Sequence, residues 1–194
     1  MKLVAVVLAV LVFGTSIAGA PVMQRKTNPE ADRIGLKVRR IQILDQLLPV
    51  LMTKTQIKAL LPVIEKSRQK ELDLEKKELE EMKQFEPDID KELNRAIKEQ
   101  KVATDEFTKR YLKLVNAFNL GRQILVGGSS AEVLAKMKEV LNEGQLKTAE
   151  LSLDPRLFGE KDPASMTSDA KLKMWIQEVM LDRTSYDLLV DMSL

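Results

Sequence analysis

The sequence predicts an all-α protein. No segment alternates apolar and polar residues over four or more positions between turn signals, and apolar residues recur instead at helical spacing. The stretch 88–120 contains neither glycine nor proline. Aromatic residues are only 4% of the 194 residues, which is low for a β-sandwich or barrel. We therefore expect a long antiparallel helical hairpin with shorter packing helices before and after it.

The N-terminus has the layout of a secretory signal peptide. A positive start at Lys2 precedes the apolar run Leu3–Phe13, and small residues follow to Ala20. A transmembrane anchor is the alternative, but a span needs about 20 apolar residues. Cleavage after Ala18 is favoured over cleavage after Ala20, which would leave Pro21 at the cut. The mature chain is then expected in the periplasm or outside the cell, without stable membrane insertion.

One helical domain is expected to follow, over residues 31–194. Residues 19–30 are polar with two prolines, which favours a flexible lead-in. The first helix is predicted from Ala31 to Leu48, where Pro49 ends it. Its apolar residues recur at steps of three and four and form one stripe: Ile34, Val38, Ile41, Leu44 and Leu48.

A long hairpin is predicted over residues 53–126. Thr53 and Gln56 form a capping box that begins a helix running to about Phe85, with a kink at Pro62. Pro87 is expected at the turn. Asp88 or Asp90 then caps the second arm. The apolar residues of that arm follow steps close to 3.6: Ile89, Leu93, Ile97, Thr104, Phe107, Tyr111, Leu114 and Phe118.

Shorter elements are predicted after the hairpin. Gly127-Gly128 is expected to end the second arm, and Ser129 with Glu132 to cap a short helix. Asn142 with Gln145 is a further capping box. A loop over 152–166 then leads to a final helix over 167–192, which Thr167 or Ser165 caps.

Two segments share one pattern: Leu51-Met52-Thr53-Lys54-Thr55-Gln56 and Val140-Leu141-Asn142-Glu143-Gly144-Gln145. Behind a signal peptide, and separated by a charged helical hairpin, they resemble the LTxxQ motifs of the Spy/CpxP-like periplasmic family over about residues 45–150. Asn142 replaces the motif threonine. The resemblance implies helical, often cradle-shaped homodimers that bind unfolded protein or report envelope stress. Some relatives bind metals through His and Met; this chain has no His, and its final helix is an addition to the family core.

The composition excludes much of the common site chemistry. Without Cys or His there are no disulfides, thiol nucleophiles or histidine bases, and the commonest zinc ligands are missing. The net charge of +2 gives no reason to expect nucleic acid as a partner. Glu78 and Glu81 could act as an acid–base couple only if buried, and their lysine-rich surroundings predict exposure. The scattered methionines are interpreted as core residues. We expect no enzyme activity, cofactor or metal.

Apolar residues along the hairpin point to binding, whereas its many charges are typical of a solvated helix face, although such a face could also attract charged clients. Favourable ion pairs are expected within the helices, from Asp73 to Lys77, Asp105 to Lys109 and Glu106 to Arg110. Apolar residues near the expected tip need a cover, which other helices, a second copy or a client chain would provide: Leu79, Met82, Phe85, Ile89 and Leu93. The sequence thus predicts a homodimeric, ATP-independent chaperone or stress adaptor for unfolded chains or an envelope protein. A scaffold, or a regulatory partner of a membrane sensor, is the alternative.

Overall fold

A computed structural model describes residues 28–194. The predicted signal peptide and residues 19–27 of the predicted lead-in lie outside this part of the chain. The described residues form six α-helices and no strand: α1 Pro29–Leu47, α2 Lys54–Glu99, α3 Asp105–Val140, α4 Glu143–Ser152, α5 Ser168–Trp175 and α6 Ser185–Ser193. Short 3₁₀ segments lie at Leu48–Val50 and Pro155–Phe158, and a π-helical segment at Ile176–Met180. The all-α prediction is confirmed.

Helices α2 and α3 form the predicted long antiparallel hairpin. Helix α2 has 46 residues and is therefore about 70 Å long. At the base of the hairpin, α2 packs against α6, and α3 packs against α5 and the π-helical segment. Helices α1 and α4 pack on these shorter elements. Most of the buried apolar residues lie in this base: Ile43, Leu47, Val50, Ile57, Leu60, Ile64, Val133, Leu134, Met137, Leu141, Ala149, Leu172, Trp175, Ile176, Val179, Met180, Leu188 and Leu189. The distal two-helix part of the hairpin lies outside this cluster.

The predicted turn at Pro87 is wrong. Helix α2 passes through both Pro62 and Pro87 and ends at Glu99, so neither Asp88 nor Asp90 is an N-cap. A proline inside a helix removes one backbone hydrogen bond. Pro87 is exposed, so water can donate a hydrogen bond to the backbone carbonyl that the proline leaves without a donor. Helix α2 therefore remains continuous across Pro87, and the hairpin tip lies further along the chain.

The actual turn spans residues 100–104. Gln100 adopts the left-handed conformation, with φ of 52°, and Thr104 caps α3 by accepting a bond from the amide of Phe107 at 3.3 Å. The Glu92 carboxylate accepts bonds from the Thr104 amide and the Arg95 guanidinium. Arg95 also donates to the carbonyl of Val102. Side chains of α2 thus hold a turn that contains no glycine or proline.

The predicted helix end at Gly127-Gly128 is also wrong. Helix α3 continues to Val140, so the second arm extends well beyond residue 126. Ser129 is buried inside the helix and caps nothing. Two helical glycines cost about 1 kcal/mol each. Burial of Val133, Leu134 and Met137 in the following turns outweighs that cost.

The apolar stripe predicted on α1 does not form the packed face of the helix. Ile43 and Leu47 are buried, whereas most of the stripe is exposed. Arg39 fixes this orientation, because its Nε donates to Asp182 at 2.9 Å and its Nη2 to the carbonyl of Glu178 at 3.2 Å. The stripe residues that remain exposed are Ile34, Val38, Ile41 and Leu48.

The final helix is two helices. Thr167 caps α5 as predicted, accepting from the amide of Ala170 at 3.2 Å. The π-helical segment then leads to a turn at residues 181–184, before α6 begins. At this turn the Asp182 carboxylate accepts bonds from the amide and hydroxyl of Thr184, at 2.8 and 2.6 Å. An Asp that bonds the backbone two residues later favours a turn over a continuing helix.

Candidate functional site

The two capping-box segments meet at the base of the hairpin. Both boxes are complete: Thr53 and Asn142 accept from the amides of Gln56 and Gln145, whose side chains accept from the amides of the two caps. The two glutamine side chains also bond one another, each Nε2 donating to the other's Oε1 at 2.9 and 3.0 Å. Gln56 Nε2 also donates to the carbonyl of Val140, and Gln145 Nε2 also donates to the carbonyl of Leu51.

These bonds give the shared motif a structural role. Each glutamine contacts the carbonyl that lies two residues before the opposite cap, so the two segments are related by an approximate two-fold arrangement. The donors and acceptors of both side-chain amides are all used. The motif therefore fastens the start of α2 to the start of α4.

An open groove between α2 and α3 is the candidate functional site. Its basal part is a cavity of about 200 Å³ that reaches the π-helical segment, and its distal part is a cavity of about 470 Å³. Glu75, Glu78 and Arg122 line both cavities, which are therefore adjacent. The distal walls are largely apolar: Leu79, Met82, Tyr111, Val115 and Phe118.

A buried ion pair crosses the groove. Arg122 Nε on α3 donates to Glu78 Oε1 on α2 at 2.9 Å, and its Nη2 donates to Glu78 Oε2. The Glu78 side chain is only 6% exposed, so the expectation that Glu78 is solvent-exposed is wrong. Glu81, the other carboxylate considered from the sequence, is exposed. A buried carboxylate held by a bidentate arginine is satisfied, which does not favour acid–base work.

Further charges on the rim of the groove are also paired. Arg183 donates to Glu71 at 3.0 Å and to Glu75, and the hydrogen bond that it donates to Glu71 raises the pKa of the arginine. The Arg68 guanidinium lies 4.4 Å from the centre of the Tyr186 ring and 3.0 Å from Glu65. The rim therefore carries both signs of charge with little excess of either.

Stacked aromatic rings join the two arms beyond the groove. Phe85 lies 5.5 Å from Phe107 and 6.5 Å from Tyr111, between ring centres. Arg110 covers the Phe85 ring at 5.3 Å and pairs with Asp88 on the opposite arm. The intrahelical partner predicted for Arg110 was Glu106, so the expected pairing is replaced by one between the arms.

The tip and one side of the hairpin present apolar residues to solvent. Leu93, Ile97 and Val102 are exposed toward the tip, and Leu72 and Leu79 lie exposed along α2 nearer the base. Of the apolar residues predicted to need a cover, Leu79 and Leu93 are exposed, and what covers them stays a prediction. Phe85, in contrast, is buried by α3.

Among the acidic groups outside the groove, Glu178 and Asp182 are partly buried and have shifted pKa values. Burial raises the pKa of Glu178. Burial also acts to raise the pKa of Asp182, but the bonds from Thr184 and Arg39 outweigh it and lower that pKa. Within residues 28–194 no three acidic side chains are grouped so that they could hold a metal ion.

Sequence reasoning missed most of the groove. Arg122 lies within α3 and Arg183 in the turn before α6. Nothing in their local sequence marks their partners, which are 44 and 112 residues away. One sequence feature could have predicted the turn that aligns the two arms. Thr104 precedes Asp105 and Glu106, and this order of residues is typical of the start of a helix.

The fold and the groove define a class: an all-α helical-hairpin protein with an open, partly apolar groove between its arms. No protein-family model matches the chain, and neither a curated protein nor a solved structure is significantly similar to it. No helix in the described part of the chain is long and apolar enough to cross a bilayer.

Proposed function

We propose that the protein is a secreted or periplasmic binding protein that holds other polypeptide chains in the groove between α2 and α3. It acts without catalysis or ATP, as a chaperone or an envelope-stress adaptor. The observation that carries the proposal is the groove itself, whose apolar walls at Leu79, Met82 and Phe118 are open to solvent between paired charges. Apolar surface of this kind is a typical protein-interaction site.

The dimensions of the groove suit an extended segment. Its lining on α2 runs from Ser67 to Met82, which corresponds to about 22 Å along the helix axis. An extended chain rises about 3.3 Å per residue, so roughly seven residues would lie along it. The charges on the rim are already paired with one another, so a client would be held mainly by apolar contacts. Such a surface favours weak binding of many sequences over tight binding of one.

The proposed compartment rests on the N-terminal sequence. Lys2, the apolar run Leu3–Phe13 and the small residues up to Ala20 support export through a cleaved signal peptide. Expression of the full chain in a bacterial host, followed by fractionation and N-terminal sequencing, tests this. Release of a chain that begins at Gly19 or Pro21 supports the proposal, and retention of the intact chain in the cytoplasm contradicts it.

Suppression of client aggregation tests the binding function. The mature chain is mixed with a chemically unfolded client, and light scattering is followed during dilution. Leu79→Ser should raise the concentration needed for half suppression several-fold, because it removes an apolar wall of the groove. Leu120→Ser is the matched control: Leu79 and Leu120 are 54% and 57% exposed, and Leu120 lies about 200° around α3 from Arg122.

Comparing Leu79→Ser with Leu120→Ser distinguishes client binding in the groove from nonspecific binding to exposed apolar residues elsewhere. Equal effects of the two substitutions would show that the groove is not the client site. No suppression by the wild-type chain at several-fold molar excess would remove the chaperone proposal.

A second candidate function, as a scaffold or regulatory partner, is favoured by α1. Ile34, Val38 and Ile41 form an exposed apolar stripe on a helix that lies outside the groove. A stripe of this kind suits a fixed protein partner. Loss of an envelope-stress phenotype in Val38→Ser, with client suppression intact, would favour this second function.

We also propose a homodimer that forms through the hairpin tip. Leu93, Ile97 and Val102 are exposed there, and the base helices do not reach them. Light scattering should give about twice the 22.0 kDa of one full-length chain, less the signal peptides. Leu93→Ser with Ile97→Ser should shift the protein to monomer. A wild-type monomer whose mass does not change on tenfold concentration would contradict the dimer.

A further inference from the structure

The basal cavity of the groove contains a buried hydroxyl that has no hydrogen-bond partner. Ser129 is only 3% exposed and lines this cavity, yet its Oγ bonds no protein group. Two other buried serines of the hairpin bond the carbonyl four residues earlier, Ser67 to Val63 at 3.0 Å and Ser130 to Val126 at 2.6 Å. A buried polar atom without a partner is costly, so Ser129 Oγ points to a group that occupies the cavity.

The walls of the cavity define the chemistry of that group. Leu74, Leu125, Val126 and Leu181 supply apolar contacts around Ser129. The π-helical segment and the residue after it close the basal end, since Gln177 and Leu181 both line the cavity. Segments of π-helix are frequent at functional sites. The occupant should therefore combine an apolar body with one hydrogen-bonding group.

The charges around the cavity favour a neutral occupant. Each charged lining residue already has a partner: Glu78 pairs with Arg122, Glu71 and Glu75 with Arg183, and Arg68 with Glu65. A charged ligand would have to break one of these pairs. The size also fits a single ring, because an apolar cavity of about 150 Å³ accommodates benzene, and this one measures about 200 Å³.

From the orphaned Ser129 hydroxyl, the apolar walls and the paired charges, we infer that the basal cavity binds a neutral phenol-like group, with Ser129 as its hydrogen-bond partner. Such a group comes from a free small molecule or from a tyrosine side chain of a bound polypeptide. This inference does not rest on client binding, because occupancy of the cavity can be measured without a client.

Titration with p-cresol and with toluene, followed by NMR chemical shifts, tests the inference. The Kd of wild-type protein for p-cresol should be about three- to tenfold lower than its Kd for toluene. This ratio corresponds to the net free energy of one neutral hydrogen bond. Ser129→Ala should bind both equally. Ser130→Ala is the matched control and should behave as wild type, because Ser130 is buried next to Ser129 and already bonds Val126.

A second variant keeps the inference testable if Ser129→Ala alters folding. Val126→Phe places a ring against the cavity from a partly exposed position and should abolish binding of both ligands. Absence of saturable p-cresol binding to wild type, or equal preference for p-cresol in wild type and Ser129→Ala, would overturn the inference. Water alone would then occupy the cavity.

Competition distinguishes the two sources of the phenol. If a carboxymethylated, permanently unfolded polypeptide displaces p-cresol, the cavity accepts a tyrosine of a bound chain. If both bind together, the natural ligand is a free small molecule. Absence of saturable p-cresol binding to the wild-type protein, with suppression of client aggregation intact, would remove this inference and leave the proposed function standing.

Discussion

Gln56 and Gln145 exchange side-chain hydrogen bonds across 89 residues of sequence. Each glutamine also completes the capping box of its own helix and bonds a carbonyl of the opposite segment. One side chain thereby links the start of a helix to a distant part of the chain. We interpret the repeated motif as the element that closes the hairpin base.

The glutamine pair should show strong energetic coupling. Gln56→Ala and Gln145→Ala each leave buried or half-buried polar groups unpaired, so each should cost about 1–3 kcal/mol of unfolding free energy. The double variant should cost less than the sum, by about 1 kcal/mol. Chemical denaturation of the four proteins measures this coupling. Additive losses would show that the two side chains act independently.

Thr53 and Asn142 should act as structural caps. Replacing either by Ala should cost about 0.5–2 kcal/mol, because a backbone amide in the first helical turn loses its acceptor. Thr55→Ala provides a control at an exposed position in the same turn, with a change near zero. Loss of client binding in Thr53→Ala with unchanged melting would contradict this role.

Removing one member of the Glu78–Arg122 ion pair should destabilise the fold more than removing both. Arg122→Leu leaves a buried carboxylate without its partner and should cost about 2–4 kcal/mol of unfolding free energy. This is somewhat less than the roughly 3–5 kcal/mol of fully buried pairs, because Arg122 is about one-third exposed. Adding Glu78→Leu should recover most of that loss. Thermal melting of the single and double variants measures both changes. A double variant less stable than Arg122→Leu would refute this interpretation.

The Asp182 turn should weaken at low pH. The folded-state pKa of Asp182 lies below its ordinary 3.8, so its stabilisation is complete above the unfolded value and is lost as pH falls through the folded one. Wild type should exceed Asp182→Asn in stability at pH 7. The difference should shrink as pH falls below about 4. A difference that stays constant from pH 7 to pH 2 would exclude this titration.

Three predicted helix starts are confirmed, whereas the starts predicted at Asp88 or Asp90 and at Ser129 are wrong together with the helix ends that preceded them. Thr53, Asn142 and Thr167 are caps in the structure as predicted, since a cap depends on bonds within a few residues. Pro87 and Gly127-Gly128 were expected to end helices, but their cost is only a few kcal/mol. Packing between distant segments decides whether the helix continues through such residues despite that cost.

The groove depends on the register of the two arms. Arg122 lies opposite Glu78 only because the turn falls at residues 100–104, and a turn at Pro87 would have placed other residues there. The buried face of α1 was likewise set by Arg39 and its partners near the C-terminus. Contacts across more than 40 residues leave no periodic signal in one sequence.

Photo-crosslinking from the groove tests the central claim most directly. The chain contains no cysteine, so Leu79→Cys and Leu120→Cys each provide one labelling site at similar exposure. Each variant is labelled with a photoactivatable group, mixed with an unfolded client and irradiated. Our account predicts strong client adducts from position 79 and weak ones from position 120. Equal adducts from both positions, or stronger adducts from position 120, would contradict the groove as the client site.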